Sequence, residues 1–384
     1  MPRWELDPNR LPKWLGPLRS LARKELHLWV DGWIQDRLEK LRWPKARGTR
    51  HLLLSICDHY EPLHGHVSRD VGVLRVKVWH EQYPKMADRF RDSTGRPPRH
   101  SFFFPGEEYD PRFFEYLTDL TRRGYGDIEV HLHHDGDTRA SVKEKFEQTL
   151  TDLGQWDSLP KYKDGRHAWA FIHGNWSLAN GRRDGRWCGV DDEVELLHEL
   201  GCYADMTFPS APDPCQPRLV NRIYYPTDAR SRRCYETGQE VTVGAHRQEK
   251  VLFIPGPLAL SIRPNRLAFR IDSAALDHGD PPSVSRAKTW AAQDVSVKGR
   301  PEWVFVKLHS HGAPEKNAKV MLGDAAMQFH QGLAREFNDG KQWKLHYVTA
   351  RETYNVIRAA MDGKEGDPSH YYDYEIPPAP CARA

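Results

Sequence analysis

The run His51-Leu-Leu-Leu-Ser-Ile-Cys-Asp58-His59 decides the fold prediction for this chain of 384 residues. Its apolar residues follow one another without the alternation of a half-buried strand, which is typical of a strand covered on both faces. Asp58 and His59 come directly after the apolar run. The sequence therefore predicts a buried strand that ends at a polar site.

Along the rest of the chain, short apolar segments alternate with helical stretches. The further predicted strands are 101–104, 127–133, 168–172, 303–308 and 346–349. This alternation is typical of a parallel sheet with helices outside it, and roughly seven such units favour a (β/α)7-type barrel over an open sheet. In such barrels the chemistry lies where strands end and loops begin.

The barrel is predicted over residues 49–362, with a Pro- and Arg-rich insertion at about 211–300 and an extended tail at 363–384. Residues 1–48 form a basic extension, and the first 50 residues hold 12 Lys and Arg against 6 Asp and Glu. Apolar residues recur at helical spacing from Leu15 to Trp43, which predicts an amphipathic helix. This helix could pack on the barrel, lie on an anionic membrane surface or bind a partner protein.

Composition excludes several classes of protein. Mean hydropathy is −0.74, and no window approaches the ~20 apolar residues of a membrane span. A net charge of +3 gives no indication of a nucleic-acid partner. The chain starts without a signal segment and its six cysteines form no CxxC pair, so we expect reduced thiols and a cytoplasmic location, at the inner membrane face if the helix contacts it.

Histidines cluster at the ends of the predicted strands. His131 and His133 lie on the same side of a strand, and Asp137 follows four residues after His133. Imidazole and carboxylate groups together suit zinc or another first-row divalent metal, and Asp58-His59 could add a third ligand. The sequence thus predicts a catalytic metal site with an open position.

These residues, in this order, resemble the NodB-homology polysaccharide deacetylases of carbohydrate esterase family four. Ser55-Ile-Cys-Asp58-His59 is similar to the first motif of that family, and 129–137 to the second. Leu308-His309 is similar to the last motif. Phe171-Ile-His-Gly-Asn175-Trp176 lies where the family has an Arg-Pro-Pro motif. The resemblance spans about 51–361 and implies a distorted barrel, a divalent metal and deacetylation of N-acetylated sugars.

The resemblance also implies roles for individual residues. Asp58 would be the catalytic base, and His309 the general acid, with His311 as a substitute. His59, His133 and Asp137 would bind the metal, predicted to be Zn²⁺.

The expected substrate is a polysaccharide or its precursor. Trp176 could offer an apolar face to a sugar ring, with Asn175 beside it, and Glu107 and Glu108 could contact hydroxyl groups. Two other classes of function stay open. One is a glycoside hydrolase that pairs Asp58 with Glu107, Glu108 or Asp205. The other is a non-catalytic carbohydrate-binding protein of polysaccharide assembly, tethered through its N-terminal helix.

Overall fold

The computed structural model describes residues 24–262 and 269–383. It shows an α/β fold in which helices pack on a large, mostly parallel sheet. The strands are β1 (Arg50–His59), β2 (His100–Pro105), β3 (Gly126–Leu132), β4 (Trp169–His173), β5 (Cys202–Asp205), β6 (Tyr224–Pro226), β7 (Gly238–Glu240), β8 (Leu252–Phe253), β9 (Ala259–Ile262), β10 (Phe269–Asp272), β11 (Ala275–Leu276), β12 (Trp303–Ser310) and β13 (Trp343–Tyr347). The α-helices are α1 (Leu26–Lys40), α2 (Arg69–Ala87), α3 (Pro111–Arg122), α4 (Arg139–Gly154), α5 (Glu193–Glu199), α6 (Val284–Ala291), α7 (Glu315–Leu322), α8 (Asp324–Phe337) and α9 (Ala350–Met361).

The main sheet runs in the order β11-β12-β1-β2-β3-β4-β5-β8-β6-β7, and β13 also pairs with β1. Every ladder from β11 to β8 is parallel, whereas β6 pairs antiparallel with β8 and β7. β9 and β10 form a separate antiparallel pair. Because the strands are parallel, the carboxyl ends of β1, β3, β4 and β12 meet at one edge of the sheet.

β1 is buried on both faces, as its apolar run predicts. Leu52, Leu54 and Ile56 belong to the larger apolar core, which includes residues of the surrounding helices. Leu53 and Cys57 point to the other face and belong to a second core. Because of this two-residue period, Asp58 and His59 point to opposite faces of the sheet.

The ends of the main sheet are β11 and β7, and no ladder joins them within the described residues. The α/β class predicted from the sequence is therefore confirmed, but a closed barrel is not shown by the hydrogen bonding. The insertion at 211–300 supplies the strands from β6 to β11 together with α6. The short strands at both ends of the sheet thus come from this segment.

Side-chain caps fix where helices follow the strand-end loops. Thr138 and Ser141 form a capping box at the start of α4, just after the segment that leaves β3. At α3 the side chain of Asp110 caps the helix, and Pro111 occupies the first turn. These caps end the polar loops at defined residues.

The predicted N-terminal helix is described only from α1 onward, and residues 15–23 lie outside the described part. Trp29 is fully buried and packs with Val220 and Leu258 of the insertion. Trp33 donates a hydrogen bond from Nε1 to Gln293. Trp29 thus packs against the body of the protein, and the half-buried Trp33 is tied to it by this hydrogen bond.

The outer face of α1 nevertheless carries apolar side chains, because Ile34 and Leu38 are exposed and Leu41 follows directly after the helix. Contact of this segment with a membrane or a partner stays a prediction, as does a cytoplasmic location. Among the described residues, the helices are too short or too polar to cross a membrane.

The tail after α9 folds back on that helix. The side chain of Asn355 donates to the carbonyl groups of Tyr372 and Ile376. Arg351 also donates to the carbonyl of Ile376 and contacts Asp127 at the start of β3. These buried polar contacts lie at the end of the sheet opposite the strand-end histidines.

Candidate functional site

Five side chains meet where β1, β3 and β12 end, and we call them the Glu61 site: His59, Glu61, His131, His133 and His311. Glu61 Oε1 lies 3.3 Å from Nε2 of His131, 3.6 Å from Nε2 of His133 and 3.7 Å from Nε2 of His311. Ligand atoms of a tetrahedral zinc ion with bonds of about 2.1 Å lie roughly 3.4 Å apart. The spacing around Glu61 Oε1 is therefore that of metal ligands.

The strand periodicity brings these side chains together. His59 ends β1, and Glu61 follows two residues later, so both side chains reach the same side of the sheet. His131 and His133 share one side at the end of β3. His311 comes directly after β12, the neighbour of β1.

Two of the histidines have their protonation fixed by partners outside the site. His131 Nδ1 lies 2.8 Å from the carbonyl oxygen of Ile172, so Nδ1 must donate, and in the neutral ring Nε2 then presents a lone pair to the site. His133 Nδ1 lies 2.5 Å from Glu107 Oε1, which gives His133 the same arrangement. Metal-binding histidines commonly donate their second N–H to a carbonyl or carboxylate in this way.

His59 supplies a further observation. Its side chain is fully buried, and neither ring nitrogen has a hydrogen-bond partner among the described residues. Burial, together with the neighbouring His311 and His131, lowers the pKa of His59 well below its ordinary value. A neutral imidazole without a partner, next to Glu61 and His311, is suited to bind a cation.

Glu61 carries the negative charge of the site. Burial alone would raise the pKa of Glu61, but hydrogen bonds from His131 and His64 and the nearby His311 lower it well below its ordinary value. Glu61 is therefore an ionised carboxylate that faces several imidazole nitrogens. Because lone pairs and a carboxylate oxygen repel one another at these distances, the site requires a cation or additional protons at its centre. The residues present thus fit a divalent metal.

Asp58, predicted as the catalytic base, points away from the Glu61 site. Its carboxylate lies 2.9 Å from His100 Nε2 and accepts a hydrogen bond of 2.6 Å from the backbone N–H of Gly312. The alternation along β1 sends Asp58 to the helix-covered face and His59 to the site. Asp58 thereby anchors the segment that carries His311.

Asp137, predicted as a metal ligand with His59 and His133, is not brought to them. Its carboxylate lies 3.2 Å from Nδ1 of His134 and 2.6 Å from the ammonium group of Lys145. His134 points away from its neighbour His133, because consecutive residues of an extended chain alternate. Of the three predicted ligands, the structure brings His59 and His133 together, and Glu61 stands beside them instead of Asp137.

A cavity of about 540 Å³ opens beside the Glu61 site. His309 and His311 line it, together with Trp176 and residues of the insertion. The ring centres of Trp176 and His59 lie 6.1 Å apart. Burial, followed by the nearby charge of Lys307, lowers the pKa of His309 well below its ordinary value, so its imidazole is neutral.

Glu108 lies on the other side of the site. Its Oε2 accepts a hydrogen bond of 2.6 Å from the backbone N–H of Leu63. Burial raises the pKa of Glu108 to about 7, and the charges of Glu61 and Glu107 contribute. The predicted residue Asn175 is half-buried next to Trp176, and its backbone N–H lies 3.2 Å from Nδ1 of His173.

Glu61 and the bond from Glu107 to His133 were not anticipated by the sequence analysis. The signal for Glu61 was available, because it repeats the two-residue step of His59 beyond the end of the strand. Glu107 had been assigned to substrate hydroxyls, and only the three-dimensional neighbourhood of β2 and β3 places it against His133. Comparison with protein-family models finds no match for the chain, and comparison with curated protein sequences finds none either.

Proposed function

We propose that this protein is a metal-dependent hydrolase that removes acetyl groups from N-acetylated sugars of a polysaccharide or its precursor. In this proposal the chain is a divergent relative of the polysaccharide deacetylases that its motifs resemble. The observation that carries the proposal is the convergence of three imidazole Nε2 atoms on one carboxylate oxygen at the ends of parallel strands. A half-open cavity with an aromatic side chain lies directly beside them.

A distorted barrel is the architecture that fits this proposal. Close contacts join Lys307 of β12 to the segments that follow β5 and β8. Its ammonium group donates to the carbonyl groups of Met206 and Phe208, and a Cβ on Gly256 would lie 2.3 Å from the Lys307 carbonyl oxygen. Such close approach supports a barrel that is closed by side-chain and loop contacts where the ladder is missing.

Glu61, His131 and His133, whose ligand atoms lie within 4.8 Å of one another, would hold the metal, and His59 and His311 would lie beside the position that these three ligands leave open. We take the metal to be Zn²⁺ from its preference for imidazole and carboxylate ligands. When bound, this ion supplies a Lewis acid and lowers the pKa of a water molecule. Glu107 orients His133 through its Nδ1 proton. Ile172 does the same for His131.

Among the described residues near the site, Glu108 has the pKa best suited to proton transfer. At about pH 7 it is present in both the protonated and the ionised form, as a group that accepts and then returns a proton must be. His309 is held neutral by burial, and Asp58 faces away from the site. We therefore assign proton transfer to Glu108, and we assign Asp58 the positioning of the His311 segment.

Substrate binding is assigned to the cavity beside the site. The Trp176 ring would pack against an apolar sugar face, and residues of the insertion line the same cavity. A substrate contact by the adjacent Asn175 stays a prediction. His309 lines the floor of the cavity and, as a neutral imidazole, can donate one hydrogen bond and accept another.

One observation favours a second candidate, a glycoside hydrolase. Glu61 and Glu108 are neighbouring carboxyl groups whose pKa values are shifted in opposite directions, Glu61 downward and Glu108 upward. A carboxylate beside a carboxylic acid is the arrangement by which glycosidases cleave sugar linkages. The two candidates release different products, so they can be separated by assay.

The test combines metal analysis with product analysis on the full chain. We expect Zn²⁺ bound at this site and release of acetate from N-acetylated glycans. His131→Ala and Glu61→Gln should abolish the acetate release and lower the bound Zn²⁺ by one ion per chain. His370→Ala, which changes an exposed histidine far along the chain, is the matched control. New reducing ends without acetate would establish the glycosidase instead. Metal content unchanged by both site variants would overturn the proposed centre.

A further inference from the structure

A second group of metal-binding side chains lies behind the Glu61 site. We call it the Glu193 cluster: His134, His173, Cys188 and Glu193. All four residues are buried, and their ligand atoms lie within 4.8 Å of one another. His134 Nε2 is 3.0 Å from Glu193 Oε1 and 3.2 Å from His173 Nε2, and Cys188 Sγ is 3.3 Å from Glu193 Oε2.

The protons of the two imidazole rings cannot satisfy all these contacts. The contact with Glu193 requires a proton on Nε2 of His134, because a carboxylate only accepts. The N–H of Asn175 donates to His173 Nδ1, which places the proton of a neutral His173 on Nε2. Two N–H groups then face each other across 3.2 Å.

A cation at the centre removes this conflict. Both Nε2 lone pairs would point at it, and His134 would keep its proton on Nδ1, which lies 3.2 Å from Asp137 Oδ2. His173 would carry its proton on Nδ1 and give up the contact with the Asn175 amide. Asp137 does not reach the Glu61 site, but in this arrangement it has a role. Its carboxylate would orient His134, a metal-binding histidine.

The surroundings of Cys188 suit a thiolate. Its Sγ is 3.3 Å from the backbone N of Asn180 and 3.4 Å from the backbone N of Val190, so two N–H groups point at the sulfur. Without an ion, burial raises the pKa of Cys188 and keeps the thiol protonated. With an ion, that thiol proton is released, and one thiolate and the Glu193 carboxylate balance the two positive charges of the ion.

The cluster ties down a long irregular segment. Residues 174–192 connect β4 to α5 without a helix or strand of their own. Trp176, Ala179, Asn180 and Trp187 all have positive φ, a conformation that side-chain-bearing residues rarely adopt. Long segments of this kind need something to hold them in place, and Cys188 and Glu193 anchor the far end of this one to β3 and β4.

We propose that His134, His173, Cys188 and Glu193 bind a structural Zn²⁺ ion that holds the 174–192 segment, and with it Trp176, against the sheet. Four protein ligands leave no open position, which is typical of structural rather than catalytic zinc. The ligand set of two histidines, one cysteine and one carboxylate distinguishes this site from the Glu61 site, whose ligands contain no sulfur.

The thiolate provides the spectroscopic test. The full-length protein is loaded with Co²⁺, and the near-ultraviolet thiolate-to-cobalt band is recorded along with bound metal per chain. We expect the band in the unchanged protein and in Cys202→Ser, which alters another buried cysteine. In Cys188→Ser the band should be absent and bound metal should fall by one ion per chain. A band that survives Cys188→Ser, or its absence from the unchanged protein, overturns the proposal.

A second measurement needs no variant. The Zn²⁺-loaded protein should resist trypsin at Arg182, Arg183 and Arg186, and Cys188 should resist alkylation. Removal of zinc by a chelator should expose the arginines to trypsin and Cys188 to alkylation, which peptide mapping would show. An unchanged peptide map after the zinc has left would refute the proposal that zinc orders the 174–192 segment. Glu61→Gln separates this proposal from the proposed function, since it should lose activity and one ion but keep the thiolate band.

Discussion

Replacing Glu107 by Gln tests whether the Glu61 site binds metal through oriented histidines. The Glu107 carboxylate accepts from both the backbone N–H and Nδ1 of His133, at 3.1 and 2.5 Å. Glutamine keeps the shape and one acceptor oxygen but removes the charge. The His133 ring should therefore be less firmly oriented, and the basicity of its Nε2 should fall.

The size of the effect follows from the exposure of the carboxylate. Loss of a partner that orients a metal-binding histidine reduces metal affinity about 10- to 100-fold. The Glu107 side chain is 36% exposed, so water screens part of its charge. We therefore expect the lower end of the range, about a tenfold rise in the Zn²⁺ dissociation constant, equivalent to about 1.4 kcal/mol.

The assay is a titration of the metal-free protein in competition with a chromogenic chelator. Since two sites are proposed, the titration should show two steps, and only the step without a cobalt–thiolate band should move. Glu115→Gln, an exposed change on α3, is the control. A dissociation constant within about twofold of the unchanged protein, or an equal shift in the control, would refute the reasoning about His133.

Glu108→Gln should remove an ionisation near pH 7 from the pH profile of kcat/KM, because burial raises the pKa of Glu108 to about 7; a profile that keeps it would assign the proton transfer elsewhere. Gly174→Ala would place a Cβ 2.3 Å from Cδ2 of His133, so we expect zinc affinity at the Glu61 site to fall more than about tenfold in the same titration. Arg351→Met should lower the free energy of unfolding by about 3 kcal/mol, the lower end of the range for a broken buried ion pair, because it removes one of the two arginines beside the buried Asp127 and leaves Arg99 in place. A loss below about 1 kcal/mol in urea at pH 7 would contradict this. Burial raises the pKa of Asp127, but Arg351 and Arg99 lower it by more, so the pKa in the folded protein lies below the ordinary value. The stability that the ionised Asp127 contributes is therefore fully present above about pH 4 and is lost as the pH falls through the folded pKa. The difference in unfolding free energy between the variant and the unchanged protein should shrink in acid.

The strands of this fold could be predicted because their apolar runs are long and uninterrupted. β1 to β4 and β12 lie where the sequence analysis expected them, since a buried parallel strand has to be apolar on both faces. The strands β6 to β11 of the insertion have only two to four residues each, too few to show a periodic pattern. Their pairing is decided by tertiary contacts, and no local sequence pattern predicts it.

The sequence predicted the location of the site better than the identity of its ligands. Periodicity put His59 and His133 at the ends of β1 and β3, which lie on either side of β2, and both histidines lie beside Glu61 in the structure. Asp137 failed as their companion because the chain turns at Gly136, where φ is +63°, and the carboxylate meets His134 instead. Glu61 was overlooked because the extended conformation continues beyond the apolar run that defined β1. Partners such as Glu107 come from a different strand and are visible only after folding.

The peptide bond between His133 and His134 joins the Glu61 site to the Glu193 cluster. One ring reaches toward Glu61 and the next toward Glu193, so ordering either ring restricts the backbone of both. An ion in one position would then reduce the conformational entropy that the other must still lose, and affinity would rise at both sites by the same factor. The Glu61 site would accordingly bind zinc more tightly once the Glu193 cluster is loaded.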